Sequence, residues 1–234
     1  MSVDFERACR TTPARLAVGR AGARPRTETL LEFQRDHAAA RDAVWSTWGA
    51  DFTERLEALG FVVVDSAASD RTMFVREPPS GRRLAAGALE RIVAVSPSAP
   101  TIQLVLSDGL SARAAVTHLE RLWSGLVRHL ASLGSLGVPV AVRNGRVAVA
   151  DAIAAAVGAA VVVHLIGERP GLAASDSLGC YVTYRPGATT TDADRKCVSN
   201  IRPAGLDPAE AGATIAGLCR RILAHGGSGT DLVL

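Results

Sequence analysis

The sequence predicts an α/β fold: a mainly parallel sheet in the C-terminal part of the chain, preceded by a mostly helical N-terminal region. Three observations carry that reading. After residue 100, short apolar runs alternate with amphipathic stretches, the pattern of strand and helix in turn. The runs are apolar on both faces, as in strands buried between two helical layers. Before residue 98 the apolar residues recur instead at helical spacing, beginning at Thr27. Strands of that kind joined by helices form a Rossmann-like sheet.

Taken in order, Thr27 can cap a helix in which Leu30, Phe33, His37, Arg41, Val44 and Trp48 recur at spacings of three and four, with Gly49 ending it. A second helix runs from Phe52 to Leu59 and stops at Gly60. Phe61–Val64, Met73–Val75 and Ile92–Val95 are β-branched apolar runs and read as small strands, broken apart by Pro78-Pro79 and Gly81. Ser96-Pro97-Ser98-Ala99-Pro100 reads as a boundary. It separates a helical arm and subdomain with small strands (1–98) from a Rossmann-like domain (99–234). In the second part, Ile102–Leu106 is a buried strand. Ser111 opens a long helix with Ala115, Leu119, Leu122, Leu126 and Leu130 on one stripe. Val138–Val142 is the next strand, Ala148–Val157 a short helix, and Ala160–Ile166 a third strand, apolar except for His164. Leu178–Tyr184 is a fourth. Asp207-Pro208 with Glu210 starts the last helix: an N-cap carboxylate, a first-turn proline and an acid at the third position. Ala211, Ile215, Leu218 and Ile222 form its buried stripe, and Gly226-Gly227 stops it.

Composition narrows the function classes. A chain of 234 residues buries roughly 70–75% of its extended surface and needs no disulfide or metal staple. With 48% hydrophobic and 21% charged residues it is neither disordered nor collagen-like. Aromatics at 4% are too few for tracts that stack single-stranded nucleic acid. Cys9, Cys180, Cys197 and Cys219 show no C-x-x-C spacing, which argues against a zinc site and a secreted disulfide framework and for the reducing cytoplasm. Asp4 and Glu6 with no apolar run argue against a signal peptide. Residues 152–167 are too short for a membrane span and are bounded by Asp151 and Glu168, so no membrane partner is expected. The net charge is +3, and residues 1–26 alone carry six arginines against Asp4 and Glu6. Without aromatics or lysine clusters, such an arm fits a partner subunit better than a nucleic acid.

Ligands of open α/β sheets bind outside the carboxyl ends of the strands. Three such ends are legible: Ser107-Asp108-Gly109, Arg143-Asn144-Gly145-Arg146-Val147 and Gly167-Glu168-Arg169-Pro170-Gly171. Each apolar run gives way at once to glycine and polar groups, and Pro170-Gly171 suits a type II turn that would orient Glu168 and Arg169. There is no G-x-G-x-x-G after the first strand, no G-x-x-x-x-G-K-[ST], no G-x-S-x-G and no H-E-x-x-H. The five histidines show no metal-ligand spacing, and His164 reads as a packed core residue. No catalytic set and no metal site can be assembled, so the chemistry of this chain is binding. One reading is a free-standing anion- or nucleotide-binding regulatory module. Cys197 lies in a charged loop running into a small apolar stretch. Basic neighbours would lower its thiol pKa; alternatively it is an inert, half-buried thiol.

Four stretches resemble the light (small) chain of ethanolamine ammonia-lyase. They are RLAVGRAGARPRTETLLEFQRDHAAARDAVW (15–45), VLSDGLSARA (105–114), LIGERPGLAASDSLGCYVTY (165–184) and DADRKCVSNIRPAGL (192–206). The resemblance runs over nearly the whole chain. It implies a subunit of an adenosylcobalamin-dependent lyase that converts ethanolamine to acetaldehyde and ammonia by radical migration of the amino group. It also implies a large, barrel-shaped partner subunit that holds the substrate, assembly into a hetero-oligomer, and a corrin at the interface covered on one side by this chain. By motif, the cofactor residues are Val147 of RNGRV, Glu168 of LIGERPGL and Cys197 of DADRKCVSN. Some family members carry a longer N-terminal extension associated with packaging into a bacterial microcompartment, whereas here the shared motif begins almost at once. Asp176 stands where the family pattern has glutamate. With no D-x-H-x-x-G motif, the cofactor is expected to keep its own base on cobalt.

Overall fold

A small hairpin, β1 (Arg20–Ala21) and β2 (Arg24–Pro25), precedes the main sheet in the computed structural model, which describes residues 11, 14–16 and 18–232. The main sheet contains β3 (Val62–Asp65), β4 (Ile102–Ser107), β5 (Val140–Arg143), β6 (Val161–Gly167), β7 (Leu178–Tyr184) and β8 (Arg195–Ile201). Their spatial order is β3-β5-β4-β6-β7-β8. The first four in that order are parallel, β7 pairs antiparallel with β6, and β8 pairs antiparallel with β7. The α/β architecture is therefore as the sequence predicts, with an antiparallel extension at one edge. Val62–Asp65 lies on the N-terminal side of the expected 98/99 boundary and is the opposite edge strand of the same sheet.

The helices are α1 (Thr27–Trp45), α2 (Ala50–Ala58), α3 (Arg71–Arg76), α4 (Ala88–Val95), α5 (Ala112–Ala131), α6 (Val149–Val157) and α7 (Pro208–His225). Two expected strands are helices instead. Met73–Val75 lies in α3, whose start is fixed by the Asp70 carboxylate accepting from the Met73 N–H at 2.8 Å. Ile92–Val95 lies in α4, where Ala88 and Ile92 turn the same way, into the core. A run of three or four apolar residues has no period of its own, so packing decided both cases. Conversely, the stretch read as a charged loop around Cys197 is β8, with pairing to β7 supplying what its own sequence does not signal. Asp207 caps α7 through the Ala209 N–H at 2.8 Å, with Pro208 in its first turn as expected.

The two faces of the sheet are covered unequally. On one, Leu104, Leu106, Val163, Leu165, Cys180 and Val182 pack beneath α5 and α7 in a core that reaches from Phe52 to Ile222. Gly212 lets α7 approach closely, because a Cβ there would stand 2.7 Å from the Leu126 backbone nitrogen. On the other face, Val64, Val105, Val140, Val142 and Val162 pack against α4 and α6. No residue of β7 or β8 belongs to this second core. No helix among the described residues is long and apolar enough to cross a membrane. Arg7, Arg10 and Cys9 of the basic arm lie outside the described residues.

Candidate functional site

From β4 the chain passes through α5 to β5 on one side, then through α6 to β6 on the other, so the order of strands reverses about β4. The crevice of such a sheet opens at the carboxyl ends flanking that point. Here the three polar strand ends meet, locked to one another. The Leu110 N–H donates to the Gly167 carbonyl at 3.0 Å, and the Gly145 N–H donates to Asp108 Oδ1 at 3.2 Å. Asn144 takes a left-handed φ of 52°, which asparagine tolerates. Gly145 is required by space: a Cβ there would be 2.4 Å from Ser107 Oγ.

Two adjoining depressions occupy the rim. One, of about 440 Å³, is lined by Gly109, Arg146, Val147, Glu168, Arg169 and Tyr181, among others. The other, of about 400 Å³, is lined by Arg82, Arg146, Val147, Ala148, Thr191 and Arg195, among others. Arg146 and Val147 belong to both and join them into one cleft.

Val147 is fixed from behind. The Val147 carbonyl accepts from His164 Nδ1 at 3.1 Å, and Nε2 of the same ring stands 2.8 Å from Ser107 Oγ. A carbonyl only accepts, so Nδ1 carries the proton and Nε2 accepts from the serine. Burial is the main reason that the His164 pKa falls to about 3. His164 is thus the neutral core histidine its apolar strand suggests. The Val147 N–H has no partner among the described residues.

Glu168 stands at the end of β6, and its side chain leans over Gly179 of β7. Its Oε2 accepts from the Ser177 hydroxyl and from the Asn200 N–H, the latter at 3.1 Å. Oε1 accepts no hydrogen bond among the described residues, and no arginine pairs with the carboxylate. Cys197 is one strand further out. In the β7–β8 register it faces Tyr181, and the phenol and thiol hydrogen-bond each other. The thiol pKa is raised, first by partial burial and then by the Glu168 carboxylate, with the Tyr181 hydrogen bond opposing. The expected lowering by basic neighbours does not occur. Arg195, the nearest cation in sequence apart from Lys196, is turned to Asp151 in a bidentate pair at 2.7 and 2.8 Å.

The structure therefore brings Val147 and Glu168 into one cleft and places Cys197 beside it, across Tyr181. Cys197 itself borders a separate depression against α7, with Val198 and Leu218. Sequence reasoning missed Tyr181, Arg71 and Arg82, whereas Arg146 and Arg169 stand in the strand ends it singled out. The Tyr181 signal was available in the alternation of β7, which puts Gly179, Tyr181 and Thr183 on the face opposite Leu178, Cys180 and Val182. Arg71 opens α3 and Arg82 ends a short 3-10 turn, and neither position carried a signal.

Beneath the cleft, Arg71 and Asp108 form a buried pair at 3.6 Å. Burial pushes Asp108 up to about 6 against the pull of Arg71 and of backbone N–H groups. The Phe74 ring carries two guanidinium groups, Arg71 at 4.5 Å and Arg146 at 4.2 Å. The one hydroxyl set against an imidazole among these residues, Ser107 on His164, is buried behind the rim. What it offers is a wide polar cleft with one free carboxylate oxygen, one free backbone donor and a phenol. Compared with known protein families, the chain matches the model of the ethanolamine ammonia-lyase light chain (EutC) over residues 3–233, nearly its whole length.

Proposed function

The chain belongs to the ethanolamine ammonia-lyase light-chain family, and from that premise we propose that its strand-end cleft binds adenosylcobalamin against a large subunit. Membership makes it the light subunit of a lyase acting on ethanolamine, with a heteromeric partner implied. The observation that carries the cofactor reading is the convergence of Val147, Glu168 and, through Tyr181, Cys197 on one rim.

The residues fit the group. A corrin is a broad disc rimmed by primary amides, and it needs a wide, shallow, half-polar surface with both acceptors and donors. Glu168 Oε1 accepts from an amide N–H, an interaction worth on the order of 1.5–3 kcal/mol when charge-assisted. The Val147 N–H and the Tyr181 hydroxyl serve amide oxygens. No histidine reaches the cleft, since both His164 nitrogens are engaged behind it, which supports a cofactor that keeps its own base. When bound, adenosylcobalamin supplies a carbon radical that abstracts hydrogen from the substrate. This chain's residues hold and orient the disc and shield its rim from water. They do no bond-breaking, so the chain alone is inactive.

The large subunit also finds a surface at the other end of the chain. Of the 19 residues of α1 only Ala43 is buried, while Leu30, Leu31, Phe33 and Trp45 are 42–59% exposed. A helix with so little packing in its own chain gains its stability from a partner. The preceding segment exposes Leu16 and Val18 beside Arg20, Arg24 and Arg26, a surface for an apolar and acidic patch.

The test is co-expression with the large subunit and assay of acetaldehyde release with and without adenosylcobalamin, beside the chain alone. Glu168→Gln keeps the acceptor that Ser177 and Asn200 use but removes the charge. We expect adenosylcobalamin affinity to fall roughly tenfold or more, with the melting temperature of the cofactor-free complex nearly unchanged. Unchanged affinity, or acetaldehyde from the chain alone, would defeat the reading.

A further inference from the structure

Three arginines surround the point where the two depressions join. Arg146 lines both, Arg169 lines the first and Arg82 the second. None of the three lies within ion-pair distance of a carboxylate among the described residues. The carboxylates nearby make other contacts. Asp108 pairs with Arg71, Asp192 with Arg195 at 3.3 Å, and one oxygen of Glu168 holds Ser177 and Asn200.

Arg146 is the most constrained of the three. Its backbone N–H donates to the Gly81 carbonyl at 2.7 Å, and a terminal guanidinium N–H donates to the Phe74 carbonyl at 2.8 Å. Its Nε is buried without a partner. Burial and then the charges of Arg71, Arg169 and Arg82 push its pKa down. A guanidinium under that much like charge, with an unsatisfied N–H, is a site built for an anion. Ala148, the residue before α6, lines the same depression.

We propose that Arg82, Arg146 and Arg169 form a phosphate subsite of the cleft, filled by the phosphodiester in the nucleotide loop of the cobalamin. This rests on the cofactor reading above and assigns the part of the cofactor that the amide-directed residues leave unmatched. A phosphodiester carries one negative charge, and guanidinium groups pair with it bidentately.

The probes are adenosylcobalamin, which has the phosphodiester, adenosylcobinamide, which lacks the whole nucleotide loop, and inorganic phosphate. Each is titrated into the complex with the large subunit and followed by corrin absorbance or, for phosphate, by calorimetry. Arg82→Gln with Arg169→Gln changes two exposed side chains and leaves the packed Arg146 in place; Arg146→Gln is the second variant. Both should bind cobalamin roughly tenfold or more weakly and bind cobinamide as the unsubstituted complex does. Phosphate should compete with cobalamin in the unsubstituted complex and lose that competition in the double variant. Equal weakening of both corrins, or of neither, overturns the proposal. Phosphate binding that needs the arginines while cobalamin binding ignores them would assign the subsite to free phosphate and overturn the cofactor source. A complex that binds neither corrin sinks the cofactor reading itself and this source with it, while the phosphate titration still decides whether the arginines bind an anion.

Discussion

The two faces of the central sheet carry the same kind of strands but end differently. Beneath α5 and α7, six strands and two long helices enclose one continuous apolar core. Beneath α4 and α6, the second layer stops at β6 and leaves Gly179, Tyr181 and Cys197 of β7 and β8 outside any apolar core. The difference shows how one sheet divides labour. The closed face holds the larger core, and the other face leaves the surface of β7 and β8 without a helical cover. Polar residues are accommodated there because no apolar helical layer packs on β7 and β8.

The largest expected effect that separates the faces is a cavity. Leu126→Ala on α5 removes a fully buried side chain and should destabilise the chain by about 3–4 kcal/mol. Tyr181→Ala on the open face should cost less than about 1 kcal/mol. Urea midpoints of the two variants read the contrast directly, and equal losses would mean the open face is also structural.

Next comes the clamp at the border of the open face. Arg195 and Asp151 are 4% and 11% exposed at the side chain, and they tie β8 to α6. Arg195→Gln leaves Asp151 with little solvent and no cation, which should cost about 3 kcal/mol. A thermal shift measured beside Cys197 alkylation would show whether β8 loosens first.

A third test uses acid. His164 is neutral in the fold with a pKa of about 3 against 6.5 when exposed. The unfolded chain therefore binds the extra proton, and stability falls as pH drops from 6.5 towards 3. Asp108 works in the opposite sense: its pKa of about 6 in the fold against 3.8 favours the folded form as pH falls through that interval. The histidine is displaced further and should dominate, contributing a loss of about 2 kcal/mol between pH 7 and pH 5. His164→Asn should be less stable at pH 7 and lose less on acidification; an unchanged acid limb would remove His164 as its cause.

The smallest effect is at the thiol. Tyr181 holds the Cys197 pKa down against burial and Glu168. Tyr181→Phe should raise it further and slow alkylation at pH 8 by roughly twofold to threefold. Faster alkylation would mean that shielding by the phenol outweighs its hydrogen bond.

What was legible in the sequence follows the same division. The elements of the closed face have long periods and clear caps: α5 over five turns, α7 from Asp207-Pro208, and β6 and β7 as continuous or alternating runs. Met73–Val75 and Ile92–Val95 were too short to carry a period. β8 has charged and exposed positions throughout, and its conformation is set by β7. At the site, Val147 and Glu168 were legible because a strand end marks them. The neighbourhood of Cys197 was not, because it depends on the register that sets it opposite Tyr181. The meeting of Arg82 and Arg169 at Arg146 depends on three loops that only the folded sheet brings together.

The placement of β3 has a consequence for the order in which the chain folds. β6, β7 and β8 form a meander, and β6 and β7 are joined by a short connection from Gly167 to Leu178. Closing so short a loop costs little entropy, so this part can zip early. β3 is made first and pairs last, because its partner β5 lies beyond β4 and the whole of α5: Val62 waits for Val140. During synthesis Val62, Val63 and Val64 emerge as an unpaired apolar strand with no sheet to join. The cleft is complete only when the ends of β4 and β5, with Arg82 from the N-terminal part, have joined the end of β6. The N-terminal segment, with its exposed α1, adds few contacts of its own to that assembly.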